Sequence, residues 1–150
     1  MPKNDVHNEL LKKLILKMSK CTLPSTVQGI ALLFCRYFFK SFDDMVNYLN
    51  SLVIQNTKNG LKIFMDRCLL HIPRFIGKLT KNTTYNAMIQ IFASKNPIFA
   101  DLLILGYDPS HTKDSPEVYA PLKILSTLIR CYDNEKKVSN KDLRVGSEIT

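Results

Sequence analysis

Apolar residues recur every three or four positions along most of this chain, so helices are the first thing the pattern predicts. Val6, Leu10, Leu11, Leu14 and Met18 share one face of a segment from Asp5 to Lys20. Lys12, Lys13, Lys17 and Lys20 supply its polar side, and a basic last turn suits the negative end of the helix dipole. Pro24 breaks that pattern. Ser25 is an expected N-cap for a helix over 26–39, where "IALLFCRYFF" is apolar nearly all round and Arg36 is the exception. Such a helix belongs at the centre of a bundle. Ser41 reads as the next cap, with Asp43 and Asp44 in the first turn and a stripe of Phe42, Met45, Val46, Leu49, Leu52 and Val53.

The segment "NTKNG" at 56–60 signals a turn. A helix over 60–71 follows, with Ile63, Phe64, Cys68 and Leu69 inward, and Pro73 breaks it. "PRFIGKL" reads as a short helical piece, and 83–95 as a longer helix with Tyr85, Met88, Ile89 and Phe92 on one side. Asn96 before Pro97 gives a cap and a first helical residue, opening a helix "PIFADLLILG" that ends at Gly106. Leu122, Leu125, Leu128, Ile129 and Tyr132 mark a last amphipathic helix to about residue 136. "SLVIQ" and "DLLILG" are apolar enough for strands, yet each continues a helical pattern.

These elements predict an all-α fold: a compact single-domain bundle of about seven to eight helices over residues 1–136, followed by a flexible polar tail over 137–150. A HEAT-like stack of helix pairs is the alternative architecture, but no repeated consensus accompanies the spacing. The longest polar interruption is "GYDPSHTKDSPEVYAP", from Gly106 to Pro121, which gathers Tyr107, Asp108, His111, Asp114, Glu117 and Tyr119. Asp108-Pro109 starts a turn, and Ser115-Pro116-Glu117 reads as a helix start. Loops longer than ~12 residues are often functional, so the middle of the stretch is a candidate recognition tip.

The chain has 150 residues and 45% apolar content, enough for one globular domain with a real core. Its cysteines, Cys21, Cys35, Cys68 and Cys131, have no metal-binding spacing, and three of them sit within apolar runs. We expect reduced thiols. The first residues also lack a signal peptide's apolar stretch, so an intracellular location, cytoplasmic or nuclear, is expected. No run is long and apolar enough for integral membrane association.

The three histidines, His7, His71 and His111, form no zinc-type pairing, and no phosphate loop or nucleophile elbow is present. No metal, cofactor or catalytic site is therefore expected. Cys68 and His71 are three residues apart on one helical face and are the only candidate nucleophile pair. Buried packing accounts better for a cysteine beside "LLHIP", and His71 is expected to bond a carbonyl at its helix end.

The net charge is +8, and it is unevenly spread. Residues 61–100 carry six bases against Asp66 alone, whereas 101–150 are near neutral. Lys62, Arg67, Arg74, Lys78, Lys81 and Lys95, with Lys12, Lys13, Lys17 and Lys20 of the first helix, form the candidate RNA- or DNA-binding set. Clustered bases of this kind neutralise phosphates and release counterions. Arg74, Lys78 and Lys81 share a face if the helix runs through them, and Tyr37, Phe75 and Tyr85 are candidate stacking partners for bases. The sequence expectation is thus a non-catalytic helical binding module for nucleic acid or nucleoprotein. A protein-interaction adaptor, regulatory or viral accessory in role and binding through a helical groove, is the alternative.

Overall fold

A computed structural model describes residues 5–54, 58–105 and 117–149. Seven α-helices run along these residues: α1 (Asp5–Lys20), α2 (Pro24–Lys40), α3 (Phe42–Ser51), α4 (Gly60–His71), α5 (Lys78–Ser94), α6 (Pro97–Ala100) and α7 (Ala120–Ile149). The helices build a compact all-α bundle, as the apolar periodicity predicts. α4 lies at its middle, packed against α1, α2, α3 and α7. Its buried residues, Leu61, Ile63, Phe64, Met65, Cys68 and Leu69, point in several directions round the helix. α2 is flanked by α1, α3, α4 and α5, yet keeps Leu33, Arg36 and Phe39 at the surface.

Aromatic rings tie the layers together. Phe64 of α4 meets Phe34 and Phe38 of α2, with ring centroids 5.7 and 5.4 Å apart. Phe42 continues the chain of rings to Phe99 at 6.2 Å. All these contacts are tilted, the arrangement that the ring quadrupoles favour. The core runs from Leu11 of α1 to Cys131 of α7.

Two helical expectations give way to strands. Val53–Ile54 (β1) pairs antiparallel with Lys58–Asn59 (β2), and Leu103–Leu105 (β3) pairs with Glu117–Tyr119 (β4). Both apolar stretches follow a helix end, and each finds a partner strand that local periodicity does not reveal. The two connections share a device. Gly60 N–H donates to the Leu52 carbonyl at 2.8 Å, and Ala120 N–H donates to the Leu102 carbonyl at 2.8 Å. Each strand pair therefore delivers the chain directly into the first residue of a long helix. α6 consequently stops at Ala100 instead of reaching Gly106, and Glu117 belongs to a strand instead of a helix start.

Other boundaries also move. α2 begins at Pro24 with Leu23 as its N-cap, so Ser25 lies inside the helix. Ser41 occupies the N-cap of α3 without a side-chain bond. Asn96 caps α6 as its sequence context suggests, accepting from Ile98 N–H at 2.9 Å. Asn59 caps α4 in the same manner, accepting from Lys62 N–H at 2.7 Å. "PRFIGKL" is split. A 3-10 turn covers Ile72–Arg74, and Gly77 at φ +95° precedes α5. Only glycine adopts that dihedral without strain. The α7 backbone stays helical to Ile149, through the segment expected as a tail. That segment contains no proline to stop the helix. Residues 106–116 of the long polar loop lie outside the described residues; on either side of them Leu105 is in register with Glu117.

Candidate interaction surface

The ten basic candidates separate into engaged and free-standing side chains. Lys62, in the first turn of α4, donates to Glu117 Oε2 at 2.7 Å and so fastens α4 to β4. Arg67, further along α4, donates to the Ser19 carbonyl at 2.6 Å and closes the end of α1. Lys81 lies 3.9 Å from Glu135 of α7. These three serve internal contacts. Lys12, Lys13, Lys17, Lys20, Arg74, Lys78 and Lys95 are exposed.

Arg74, Lys78 and Lys81 do not share a helix face, because the chain turns at Gly77 between the 3-10 turn and α5. The candidate stacking rings are built into the fold. Phe75 is buried, and Tyr37 and Tyr85 pack against the core. The Tyr85 hydroxyl donates to Glu135 Oε1 at 3.2 Å; burial first, then Cys131 and Glu135, push its pKa up.

The corner between α4 and α5 is held from a distance. Gln28 of α2 donates from Nε2 to the Ile76 carbonyl and accepts from Ile76 N–H, both at 2.9 Å. One side-chain amide thus pairs with a backbone as a neighbouring strand would. Beside it, Ile76 and Leu79 are 77% and 79% exposed.

A larger apolar surface lies on α5 and α7. Glu135 meets both Lys81 and Tyr85 near the start of α5, whereas the end of α5 leads into α6, which packs on α7. The two helices therefore run antiparallel. Their outward sides present Ile89 and Phe92 of α5 and Leu122, Leu125, Ile129 and Tyr132 of α7, between 43% and 66% exposed. The α7 residues are spaced three, four and three apart, which keeps them on one stripe. The opposite side of the same helix buries Ala120, Ile124, Thr127 and Cys131. The periodicity of Leu122, Leu125, Ile129 and Tyr132 is legible in the sequence, but it reads there as the core side. What sequence reasoning missed is that α7 has two apolar sides, only one of which the bundle covers.

The Cys68–His71 pair does not assemble into an activated nucleophile. Cys68 is fully buried, and burial with help from Cys35 raises its thiol well above the usual range. His71 is 3% exposed, and neither ring nitrogen has a hydrogen-bond partner, contrary to the carbonyl bond expected for it. Burial, then Arg67 and Arg74, lowers its pKa. Among the described residues no group of three or more His, Cys, Asp or Glu could hold a metal ion. No described helix is long and apolar enough to cross a membrane. No protein-family model matches the chain, and no curated protein matches its sequence.

Proposed function

We propose that the chain is a non-catalytic helical interaction module that docks onto another protein through the α5–α7 face. The observation that carries this reading is the set of six large apolar side chains left in solvent across two packed helices. Together they expose on the order of 700 Å² of largely apolar surface, at the upper end of what an ordinary monomer leaves uncovered. Single exposed leucines are commonplace, whereas a contiguous group of this size marks a site where another surface removes water.

Site-specific photo-crosslinking tests the reading. A benzophenone side chain is placed at position 125 or 129, and at Arg36 on α2 as a control. In cells producing the chain, discrete protein adducts are expected from 125 and 129 and not from 36. A companion Ile89→Glu substitution should remove them while the circular-dichroism spectrum is unchanged. No adduct at either α7 position overturns the reading.

Nucleic-acid association is favoured by a different observation. Arg67 joins the last turn of α1 to the second half of α4, so Lys17 and Lys20 belong to the same side of the chain path that leads on to Arg74 and Lys78. No acidic residue occurs between Asp66 and Asp101. Binding to single-stranded and duplex oligonucleotides across a salt series separates this mode from protein docking. Affinity that falls steeply with salt, and vanishes on joint Lys20→Glu, Arg74→Glu and Lys78→Glu substitution, supports it. Absence of binding at low salt ends it.

A further inference from the structure

The geometry points to a second copy of this chain as the occupant of the α5–α7 face, with α7 packed antiparallel on its own symmetry mate. The inference rests on the protein-docking reading of that face. Three features select a second copy over other partners.

The first is self-complementarity. A two-fold interface must fit itself, so each residue on one copy meets a defined residue on the other. The stripe Leu122, Leu125, Ile129 and Tyr132 reads the same in both directions, three-four-three. Turned antiparallel about its midpoint, it sets Leu122 against Tyr132 and Leu125 against Ile129, twice over. Every apolar residue of the stripe then meets an apolar residue. In a parallel pair the two-fold axis runs along the helices and sets the two α5 helices on opposite sides of the seam, which leaves Ile89 and Phe92 without their counterparts. In the antiparallel pair the axis crosses the helices within the interface, so both α5 helices lie on one side of the α7 seam, Ile89 and Phe92 face those of the mate, and the two copies form two layers of two helices.

The second is area. The six side chains expose about 700 Å² per copy, close to the ~800 Å² per partner of a standard stable interface. A short peptide would cover less of this face than the stripe and its flanks present. The third is charge. The chain carries +8 overall, so most of its surface repels a second copy. Along α7 beside the stripe, Lys123, Arg130, Lys136 and Lys137 are instead interspersed with Asp133 and Glu135. The α7 half of the face thus lies outside the most basic segment, where repulsion between two copies is weaker.

Sedimentation of the purified protein from low to high micromolar concentration tests the proposal. Twice the chain mass is expected, reverting to a single chain on joint Leu125→Glu and Ile129→Glu substitution with the helical spectrum retained. Both positions are already in solvent in the single chain, so the charges do not enter its core. Register is tested by mixing a Leu122→Cys chain with a Tyr132→Cys chain. The mixed disulfide should form faster than either homodimeric one. A monomer at all concentrations overturns self-pairing, as does a dimer indifferent to the two glutamates, and equal disulfide rates overturn the antiparallel register. If the chain is monomeric while benzophenone at position 125 captures a protein of another mass, self-pairing fails and the docking reading stands. If the chain is monomeric and no adduct forms, both fail.

Discussion

His71 shows how one residue can set a pH response without belonging to a site. Its imidazole is buried at the end of α4, with neither nitrogen paired and with Arg67 and Arg74 nearby. All three influences disfavour the imidazolium, so the folded-state pKa lies below the ordinary 6.5. As pH falls through 6.5, the unfolded chain takes up a proton that the folded chain refuses. Stability is therefore full above that value and declines until the lowered folded pKa has been passed. Urea unfolding at pH 7.5 and pH 5.5 measures the decline, and His71→Leu should flatten this part of it. The variant also removes a buried polar group that makes no hydrogen bond, so at pH 7.5 its cost should be small, within about 1 kcal/mol. An unchanged pH slope in the variant would place the response elsewhere.

Among the elements, the join between α3 and α4 depends on close approach. A Cβ added at Gly60 would lie 3.0 Å from Leu52 Cδ2 and 3.1 Å from the Leu49 carbonyl oxygen. The leucine can rotate, but the carbonyl is fixed by its helix. Gly60→Ala is expected to destabilise the fold by about 1–3 kcal/mol despite alanine's better helix propensity, measured by chemical denaturation. The sequence shows α4 starting at 60, correctly, because apolar period is local; of the "NTKNG" turn, 56–57 lie outside the described residues, and Lys58 and Asn59 form β2. It does not show β1 or β3, since a strand two or three residues long exists only by virtue of its partner. The same reason explains the basic set. Lys62 and Arg67 look like surface charges in the sequence, and only the packing of β4 and of the α1 end turns them inward to Glu117 and the Ser19 carbonyl. The stripe on α7 is fully legible as a period and illegible as a surface, because helical periodicity records that a side is apolar and not what covers it.

At the scale of the whole molecule, α2 and α4 form the joint on which the other helices are assembled, and they bring together Phe34, Phe38 and Phe64. Cys35 and Cys68 lie in the same two helices. Burial pushes the Cys35 thiol up to about 12 and the Cys68 thiol higher than its usual value, and Cys131 is raised as well. Cys21, between α1 and α2, is only half-buried. The central joint thus carries its own clock. Because alkylating reagents must reach the sulfur, Cys21 should be modified first. Cys35 and Cys68 should wait for α2 and α4 to part, and then react together at the rate of global opening, which mass spectrometry can follow residue by residue. Equal rates for all four cysteines would mean that the two helices separate freely in the native state. One fast thiol and a slow, synchronous pair would instead make the chain's unfolding time readable from its own cysteines, without any mutation.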